Sequence, residues 1–210
     1  TKIREPVISL PHRLPVNYQI LMTSTVADND ELLLDLIKNN NERAMHELYC
    51  RHIRYLTAVC SRYITNDDDV HDVLQDSFIK IFSSINSFQY KGNGSLKGWM
   101  TRITLNEAIK FIKRTCHFNF IELKKEEIDL PDEEPDTESI PPPVIYKFIR
   151  ELPDGYRTIF NLYVIEGRSH KEIARLLGIK EGTSASQLHR AKAILADKIN
   201  NYNKLYSISI

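Results

Sequence analysis

The residues with the clearest chemical signature form one segment near the C-terminal end of the chain, SHKEIARLLGIKEGTSASQLHRAK at 169–192. Two short helical patterns flank Gly178, which suits a left-handed turn between helices. Ser169 and Glu172 form the Ser-x-x-Glu capping box that begins a helix. This pattern predicts a helix-turn-helix, whose second helix enters the major groove of DNA. An ordinary helical hairpin with a solvated outer face has the same spacing.

The second helix of this segment is predicted to begin near Glu181, and its two faces differ. The inward face holds Leu188, Ala191 and Leu195. The opposite face carries polar and basic side chains of the kind that contact base edges and phosphates. The predicted outward-facing residues are Ser186, Gln187, His189, Arg190 and Lys192.

Charge is distributed unevenly, although the 210 residues include 28 basic and 28 acidic side chains. Residues 116–143 hold nine acidic and two basic residues and contain DLPDEEPDTESIPPP. Proline and like charge prevent a packed core, so this segment is predicted to be a linker. Residues 144–210 hold 11 basic and six acidic residues. A basic C-terminal unit therefore follows an acidic connector.

The sequence also argues against several classes of protein. It shows no secretory signal and no apolar run long enough to span a membrane, so we expect a cytoplasmic protein with reduced thiols. His46, Cys50 and His52 are close in sequence, but the rest of a zinc ligand set is missing, and we expect no metal or cofactor. A Gly-rich phosphate loop and a nucleophile elbow are missing too, so we predict that the protein is not an enzyme.

Helical periodicity covers residues 28 to about 114, and no segment of the chain has a convincing strand pattern. The first helix is predicted to start at a cap on Asp28 and to end at the run Asn39–Asn41. Its predicted core stripe is Leu32, Leu33, Leu36 and Ile37. Three further helices are predicted to start near Glu42, after Asn66 and at a cap on Ser95.

Helices are predicted to resume at Val144, with a turn at 153–155 and another helix over 156–165. The predicted fold is therefore all-α, with two small helical domains joined by an acidic, Pro-rich linker, and the second domain is a helix-turn-helix domain. Residues 1–24 are expected to be a disordered or weakly docked arm, with Met22 as an alternative start. The predicted boundaries are 1–24, 25–115, 116–143 and 144–210.

Three motifs, in order along the chain, resemble those of the bacterial RNA polymerase sigma factors, specifically the small extracytoplasmic-function class. DDDVHDVLQDSFIKIF at 67–82 is similar to the family's polymerase-binding helix, and SLKGWMTRITLNEAIKFIKR at 95–114 is similar to its minus-ten-reading helix. Residues 152–192 resemble the family's minus-thirty-five domain nearly end to end. The resemblance implies a factor that binds core RNA polymerase, opens promoter DNA and starts transcription.

The resemblance assigns polymerase binding to Asp72, Gln75, Asp76 and Phe78. The first three lie at positions i, i+3 and i+4, which places them on one face of a helix. Two acids and an amide on one face suit docking to a basic helical surface. The alternative is an ordinary solvated face.

The helix over 95–114 holds five basic residues and one acid, which predicts phosphate contacts. The resemblance implies that a base of the melted non-template strand turns into a pocket beside this helix, with the loop 90–94 as one wall. Trp99 is expected in the core instead of against that base. The predicted minus-ten residues are Lys91, Asn93, Lys97, Arg102, Asn106, Lys110, Lys113 and Arg114.

In the second helix of the helix-turn-helix, the family usually carries a basic residue at the position of Ala185, an apolar residue at Ser184 and arginine at Gln187. This chain therefore brings fewer charges to the duplex. The residues assigned to minus-thirty-five binding are Thr183, Ala185, Ser186, Gln187, His189, Arg190 and Lys192.

The expected partners are core RNA polymerase, promoter DNA as duplex and as melted non-template strand, and an anti-sigma factor, with no membrane insertion. The alternative function is a stand-alone helix-turn-helix regulator that uses only the C-terminal domain. Such a regulator would not need the stripe that contains Asp72, Gln75 and Asp76.

Overall fold

The computed structural model describes residues 30–115 and 140–207. Within these ranges the chain forms eight α-helices, one 3-10 turn and one π-helical turn, with no strand. The all-α prediction is confirmed. The predicted arm at 1–24, the cap on Asp28 and all but the last residues of the predicted linker lie outside the described residues.

The N-terminal half consists of α1 (Asp30–Lys38), α2 (Glu42–Cys60), α3 (Asp67–Ser84) and α4 (Ser95–Thr115). Asn41 caps α2, because its side-chain oxygen accepts a hydrogen bond from the Ala44 amide at 3.1 Å. Asn66 caps α3 in the same way through the Asp69 amide at 3.0 Å. The predicted starts of both helices are confirmed.

The predicted stripe of α1 is wrong at two positions. Leu32 and Leu36 remain 53% and 40% exposed, whereas Leu34 is buried together with Leu33 and Ile37. The helix packs against α2 and the 3-10 turn that follows α3. Packing on these two neighbours therefore selects the face of α1 that is buried.

The core of the N-terminal half lies where α2, α3 and α4 pack against one another. Apolar side chains spaced three or four residues apart line the inner face of each helix. The fully covered members include Leu48, Leu56, Ile81, Leu96 and Met100. This core fixes the outer faces of α3 and α4, which carry the predicted polymerase-binding and minus-ten residues.

The C-terminal half consists of α5 (Pro142–Arg150), α6 (Asp154–Phe160), α7 (His170–Leu177) and α8 (Glu181–Ser207), with a π-helical turn (Asn161–Ile165) after α6. The first of these helices begins two residues before the predicted Val144. Proline is tolerated there because the first amides of a helix need no partner within it.

The predicted turn at 153–155 is also wrong, because Asp154 and Gly155 form the first turn of α6. Pro153 lies at the N-cap position with an extended backbone. A proline followed by small polar residues is typical both of a turn and of a helix start. Here Arg157, Thr158 and Ile159, which follow in the chain, are buried within the helix.

The predicted helix-turn-helix is confirmed in α7 and α8. The Ser169 side chain accepts from the Glu172 amide, and the Glu172 carboxylate accepts from the Ser169 amide at 2.9 Å, which completes the capping box. Gly178 has φ 75°, the left-handed conformation that favours glycine. The α8 helix buries Leu188 and Ala191, as predicted.

Candidate functional site

The outer face of α3 carries the predicted acidic stripe. Asp72, Gln75 and Asp76 are all exposed. Phe78 does not share that face, since it is 5% exposed and its ring lies 4.6 Å from the ring of Tyr49. The phenylalanine therefore supports the helix from inside.

One apolar residue that the sequence analysis missed lies on the acidic stripe. Ile79 is 66% exposed, and it follows Asp72 by seven residues and Asp76 by three, which places all three on one side of the helix. Ile79 thus adds one exposed apolar side chain to the acidic face. The spacing of seven residues was the available signal. We call residues 72, 75, 76 and 79 the α3 stripe.

All eight predicted minus-ten residues are exposed. Arg102, Asn106, Lys110 and Lys113 follow one another at helical spacing, and at about 100° per residue they share one side of α4. We call these four residues the α4 face. Lys97 lies on another side, with its Nζ 4.0 Å from the centre of the Tyr55 ring of α2. The predicted set is thus exposed but does not form a single surface.

The one acid of α4 is buried and pairs with two lysines. Glu107 is 7% exposed, and its carboxylate pairs with Lys80 of α3. Its second oxygen lies 3.8 Å from Nζ of Lys110. The buried acid thus joins α3 to α4 and leaves the outward charge of α4 basic.

A cavity of about 510 Å³ opens at the start of α4. Its walls include Phe88, Lys91, Trp99 and Arg102. The rings of Phe88 and Trp99 lie 4.7 Å apart. Aromatic walls with a cation at the rim suit an unstacked base, which binds by stacking and by contacts to its phosphate.

Trp99 has two roles in this geometry. The ring is half-buried and packs against the core of the N-terminal half, as expected. It also lines the cavity, which the expectation of a purely core residue did not include. Part of the Trp99 side chain is therefore accessible from the cavity.

The loop before α4 is held by Ser95, the first residue of the helix. Its hydroxyl accepts from the Lys91 amide at 3.2 Å and donates to the Gly92 carbonyl at 2.7 Å. The serine was predicted as a cap for α4, but its hydroxyl bonds to the loop. The loop is thereby fixed beside the cavity.

The outward face of α8 is smaller than predicted. Ala185, Ser186, His189 and Lys192 are exposed, while Thr183 and Arg190 are half-buried. We call the four exposed residues the α8 face. It carries one permanent positive charge, on Lys192.

Gln187 is not on that face, since it is 8% exposed. It follows the buried Ser184 by three residues and precedes the buried Ala191 by four, so all three share the inner side of α8. The prediction that Gln187 faces outward is wrong. Burial of the two residues at helical spacing from it accounts for the difference.

Ser184 connects the two helices of the helix-turn-helix. Its hydroxyl lies 3.0 Å from Nδ1 of His170, the first residue of α7. The His170 ring stacks on Tyr163 with centroids 4.6 Å apart. A polar pair therefore stands where the family usually has an apolar contact, and no sequence pattern indicated it.

The candidate metal residues do not form a metal site. Cys50 Sγ lies 3.7 Å from the ring nitrogens of His46. Over residues 30–115 and 140–207 no group of three His, Cys, Asp or Glu side chains is placed to hold a metal ion. No helix in the same ranges is long and apolar enough to cross a membrane.

Comparison with known families places both halves of the chain. Residues 48–116 match the Sigma-70 region 2 family, and residues 144–195 match the Sigma-70 region 4 family. Together these two matches cover more than half of the chain.

Individual proteins are similar to most of this chain. The chain is 26% identical over 183 residues to an ECF RNA polymerase sigma-E factor of Haemophilus influenzae, a match that covers 81% of this chain and 95% of that one. It is 29% identical over 162 residues to the ECF RNA polymerase sigma factor SigE of Mycolicibacterium smegmatis, covering 75% and 62%. Among solved structures, CnrH in complex with the cytosolic domain of CnrY matches with a TM-score of 0.43 and 25% identity, over 83% of this chain and 99% of that one.

Over the described residues, an all-α fold with a helix-turn-helix and a separate basic helix is typical of a DNA-binding transcription factor. With both family matches in order along the chain, it belongs to the sigma-70 family and to the extracytoplasmic-function class of RNA polymerase sigma factors. It directs promoter-specific transcription. A stand-alone regulator is not favoured, because the region 2 match has no place in that alternative.

Proposed function

We propose a division of this activity among the three surfaces. The α3 stripe docks on core polymerase, the α4 face and the adjacent cavity hold the melted minus-ten strand, and the α8 face contacts the minus-thirty-five duplex. In this assignment the first domain spans 25–115, the linker 116–143 and the second domain 144–210, after an arm at 1–24. The protein positions polymerase and does not itself catalyse bond formation.

The observation that carries this proposal is the separation of charge between α3 and α4. The outward side of α3 presents Asp72 and Asp76, whereas the outward side of α4 presents Arg102, Lys110 and Lys113. Acidic and basic surfaces on neighbouring helices suit two partners of opposite charge. A basic protein helix and a DNA strand are such partners.

The cavity at the start of α4 gives the minus-ten assignment a mechanism. A base that leaves the stack needs a flat apolar surface and a nearby cation for its phosphate. Phe88 and Trp99 supply the first, and Lys91 and Arg102 the second. Holding one base outside the duplex stabilises the melted strand, so strand opening follows from binding alone.

The remaining partners follow from membership of the class. We further propose that an anti-sigma factor inhibits the free protein and that the protein acts in the cytoplasm. We assign the acidic linker a path through polymerase that nucleic acid also uses. Its negative charge, like that of RNA, would let it imitate RNA there. A co-purification from cells, followed by identification of the bound protein, tests the anti-sigma factor directly.

The polymerase assignment is tested by charge reversal on the α3 stripe. The variant Asp72→Lys with Asp76→Lys places like charge against a basic surface without altering the buried face of α3. We expect loss of binding to purified core polymerase in a pull-down. Circular dichroism should show unchanged helicity.

A matched control carries the same change of charge at the same spacing on another helix. Glu31 and Asp35 are exposed on α1 at positions i and i+4, so Glu31→Lys with Asp35→Lys should bind core polymerase normally. Normal binding by the α3 variant would refute the docking face. Loss of binding by both variants would show that overall charge, and not the α3 stripe, determines the contact.

A further inference from the structure

Lys97 lies outside the α4 face, although it is one of the predicted minus-ten residues. Its Nζ lies 4.0 Å from the centre of the Tyr55 ring of α2. The Tyr55 hydroxyl lies 3.5 Å from Oγ1 of Thr101, one turn farther along α4. The ring itself is half-buried and packs against the core. The lysine and the threonine therefore hold one edge and one face of this ring where α2 meets α4.

Two arginines of α2 adjoin the ring. Arg51 precedes Tyr55 by four residues and Arg54 by three, and both arginines are exposed. Residues three and four apart share one side of a helix. We call Arg51, Arg54, Tyr55 and Lys97 the α2 patch. It combines three cations with an aromatic ring, which is the composition of surfaces that bind single-stranded nucleic acid.

One acid reduces the charge of the α2 patch, but only in part. Oε1 of Glu47 accepts a hydrogen bond from Nε of Arg51 at 2.7 Å, and both side chains are more than a third exposed. Exposed ion pairs contribute little free energy, so a phosphate can take the place of the Glu47 carboxylate. Three cations and this one acid leave a net charge of +2.

The contact between Lys97 and Tyr55 can be exchanged for a contact with a base. An exposed lysine is held only weakly over an aromatic ring, whereas a nucleic-acid base stacks on such a ring more strongly. When a strand arrives, Lys97 can therefore move from the ring to a phosphate while a base covers the ring. In the free protein the stacking surface is thus covered by a group that DNA itself attracts.

The α2 patch adjoins the cavity at the start of α4. Gly98, the residue after Lys97, lines that cavity. No heavy atom from elsewhere in the described chain lies within 4 Å of the point where a side chain on Gly98 would begin. A strand whose base occupies the cavity can therefore cross α4 at this glycine and reach the α2 patch.

The positions of the surfaces set the direction of such a strand. From the cavity, the α4 face runs toward the end of α4, after which the chain continues to the half assigned to the minus-thirty-five duplex. That side of the cavity is therefore upstream. Lys97 precedes the α4 face along the helix and lies on another side of it, so a strand that reaches the α2 patch leads away from the upstream DNA.

We propose that the α2 patch is a second single-strand site, which holds the nucleotides that follow the cavity-bound base on its 3′ side. The inference rests on the assignment of the cavity to the melted minus-ten strand under Proposed function. Two sites in series on one strand bind more tightly than either alone, because binding at the first raises the effective concentration at the second. The α2 patch would also keep the downstream part of the melted strand away from its complement.

A series of single strands tests the proposal in the complex of the full chain with purified core polymerase. The strands copy the non-template minus-ten region of a promoter that this complex transcribes, and they are shortened one nucleotide at a time from the 3′ end. Core polymerase without the protein gives the background. With the wild-type protein the affinity should fall in two steps, first as nucleotides leave the α2 patch and then as the base leaves the cavity.

The variant Arg51→Ala with Arg54→Ala should lose the first step and keep the second. Its affinity for the longest strand should be roughly 25-fold lower at about 0.1 M salt, because each of two phosphate contacts contributes a salt slope of about 0.7. Lys38→Ala with Arg43→Ala removes the same charge from exposed positions on α1 and the start of α2, and it should keep both steps.

The two steps separate this proposal from the proposed function. A first step that is missing with the wild-type protein, that survives in the Arg51 and Arg54 variant, or that both double variants lose would overturn the α2 patch. Absence of the second step with the wild-type protein would instead count against the assignment of the cavity.

Stacking on Tyr55 is tested with 2-aminopurine, a base whose fluorescence falls when it stacks. It replaces, one at a time, the bases on the 3′ side of the second step. One position should be quenched by the wild-type complex and by Tyr55→Phe, which keeps the ring, but not by Tyr55→Leu. Normal polymerase binding and circular dichroism would show that the leucine variant is folded. Equal quenching by a folded Tyr55→Leu would overturn the α2 patch as a stacking site.

Discussion

The two helices that we propose face DNA differ in how they would hold it. The α4 face presents Arg102, Lys110 and Lys113 on one side of a helix, beside a cavity with aromatic walls. The α8 face presents Ala185, Ser186, His189 and Lys192, with one permanent charge. The first offers cations and aromatic walls, and the second offers one cation and no aromatic wall.

This difference teaches that the two halves depend on polymerase to different degrees. A helix with few cations releases few counterions and binds duplex weakly by itself. Attachment to polymerase, which other parts of the complex hold on the promoter, raises its effective concentration at the duplex. We therefore expect α8 to select among positions that α4 and polymerase have already stabilised.

The largest effect is expected from the α4 face. Arg102→Ala with Lys110→Ala removes two phosphate contacts. Affinity of the polymerase complex for the melted minus-ten strand should fall roughly 25-fold at about 0.1 M salt, because each contact to single-stranded DNA contributes a salt slope of about 0.7. Binding of a labelled single strand measured across a salt series gives both the affinity and the slope.

The control removes the same charge elsewhere. Lys38 and Arg43 are exposed on α1 and α2, and Lys38→Ala with Arg43→Ala should leave the salt slope unchanged. An equal loss in both double variants would mean that the net charge of the protein, and not the α4 face, holds the strand.

A smaller effect is expected from α8. Lys192→Ala removes the one permanent charge of its outward face, so affinity for a duplex with the minus-thirty-five element should fall about eightfold at about 0.1 M salt, from a slope of about 0.9 per phosphate. Transcription should fall only on promoters that need this element. Lys204 is an exposed lysine farther along the same helix. Its substitution, Lys204→Ala, should leave transcription from both kinds of promoter unchanged. If Lys192→Ala lowered transcription equally on promoters with and without the element, the assignment of α8 to minus-thirty-five binding would be refuted.

Local patterns predicted the starts of α2, α3 and α7 well, because the capping hydrogen bonds at these starts join residues three apart. Asn66 bonds to the amide of Asp69, and Ser169 to that of Glu172. The faces of helices were predicted less well. The resemblance assigned Phe78 to polymerase binding and the pattern of α8 placed Gln187 on the outward face, but contacts with other helices decide that each is buried. A helical wheel has no information about those neighbours.

The junction between the halves was beyond sequence reasoning for a further reason. The bond from Arg157 to the Tyr63 carbonyl joins residues 94 positions apart. Neither residue belongs to a motif with a known pairing. Only the positions of α2 and α6 in the fold bring the donor and the acceptor together.

Removal of a helix cap should destabilise only the half of the chain that contains the cap. Ser169→Ala and Asn66→Ala each remove a side-chain acceptor at a helix start, which costs about 1 kcal/mol. The first should expose the amides of α7 to hydrogen exchange, and the second those of α3. If Asn66→Ala raised exchange in α7 by the same factor, the halves would unfold as one unit and the comparison between them would not apply to stability.

The smallest effect concerns pH. Hydrogen bonds from the amide and the hydroxyl of Ser169 lower the pKa of Glu172 below its ordinary value of 4.5. A lowered folded pKa means that the capping box contributes stability at pH above the ordinary value and loses it as pH falls through the folded one. The melting temperature of Glu172→Gln should therefore lie below that of the wild-type protein near pH 6, and this gap should shrink in acid, since the amide does not titrate. The gap between Asn66→Ala and the wild-type protein should stay constant over the same range, because an asparagine cap has no proton to gain. A constant gap for Glu172→Gln down to about pH 3 would show that the carboxylate charge contributes nothing to the start of α7.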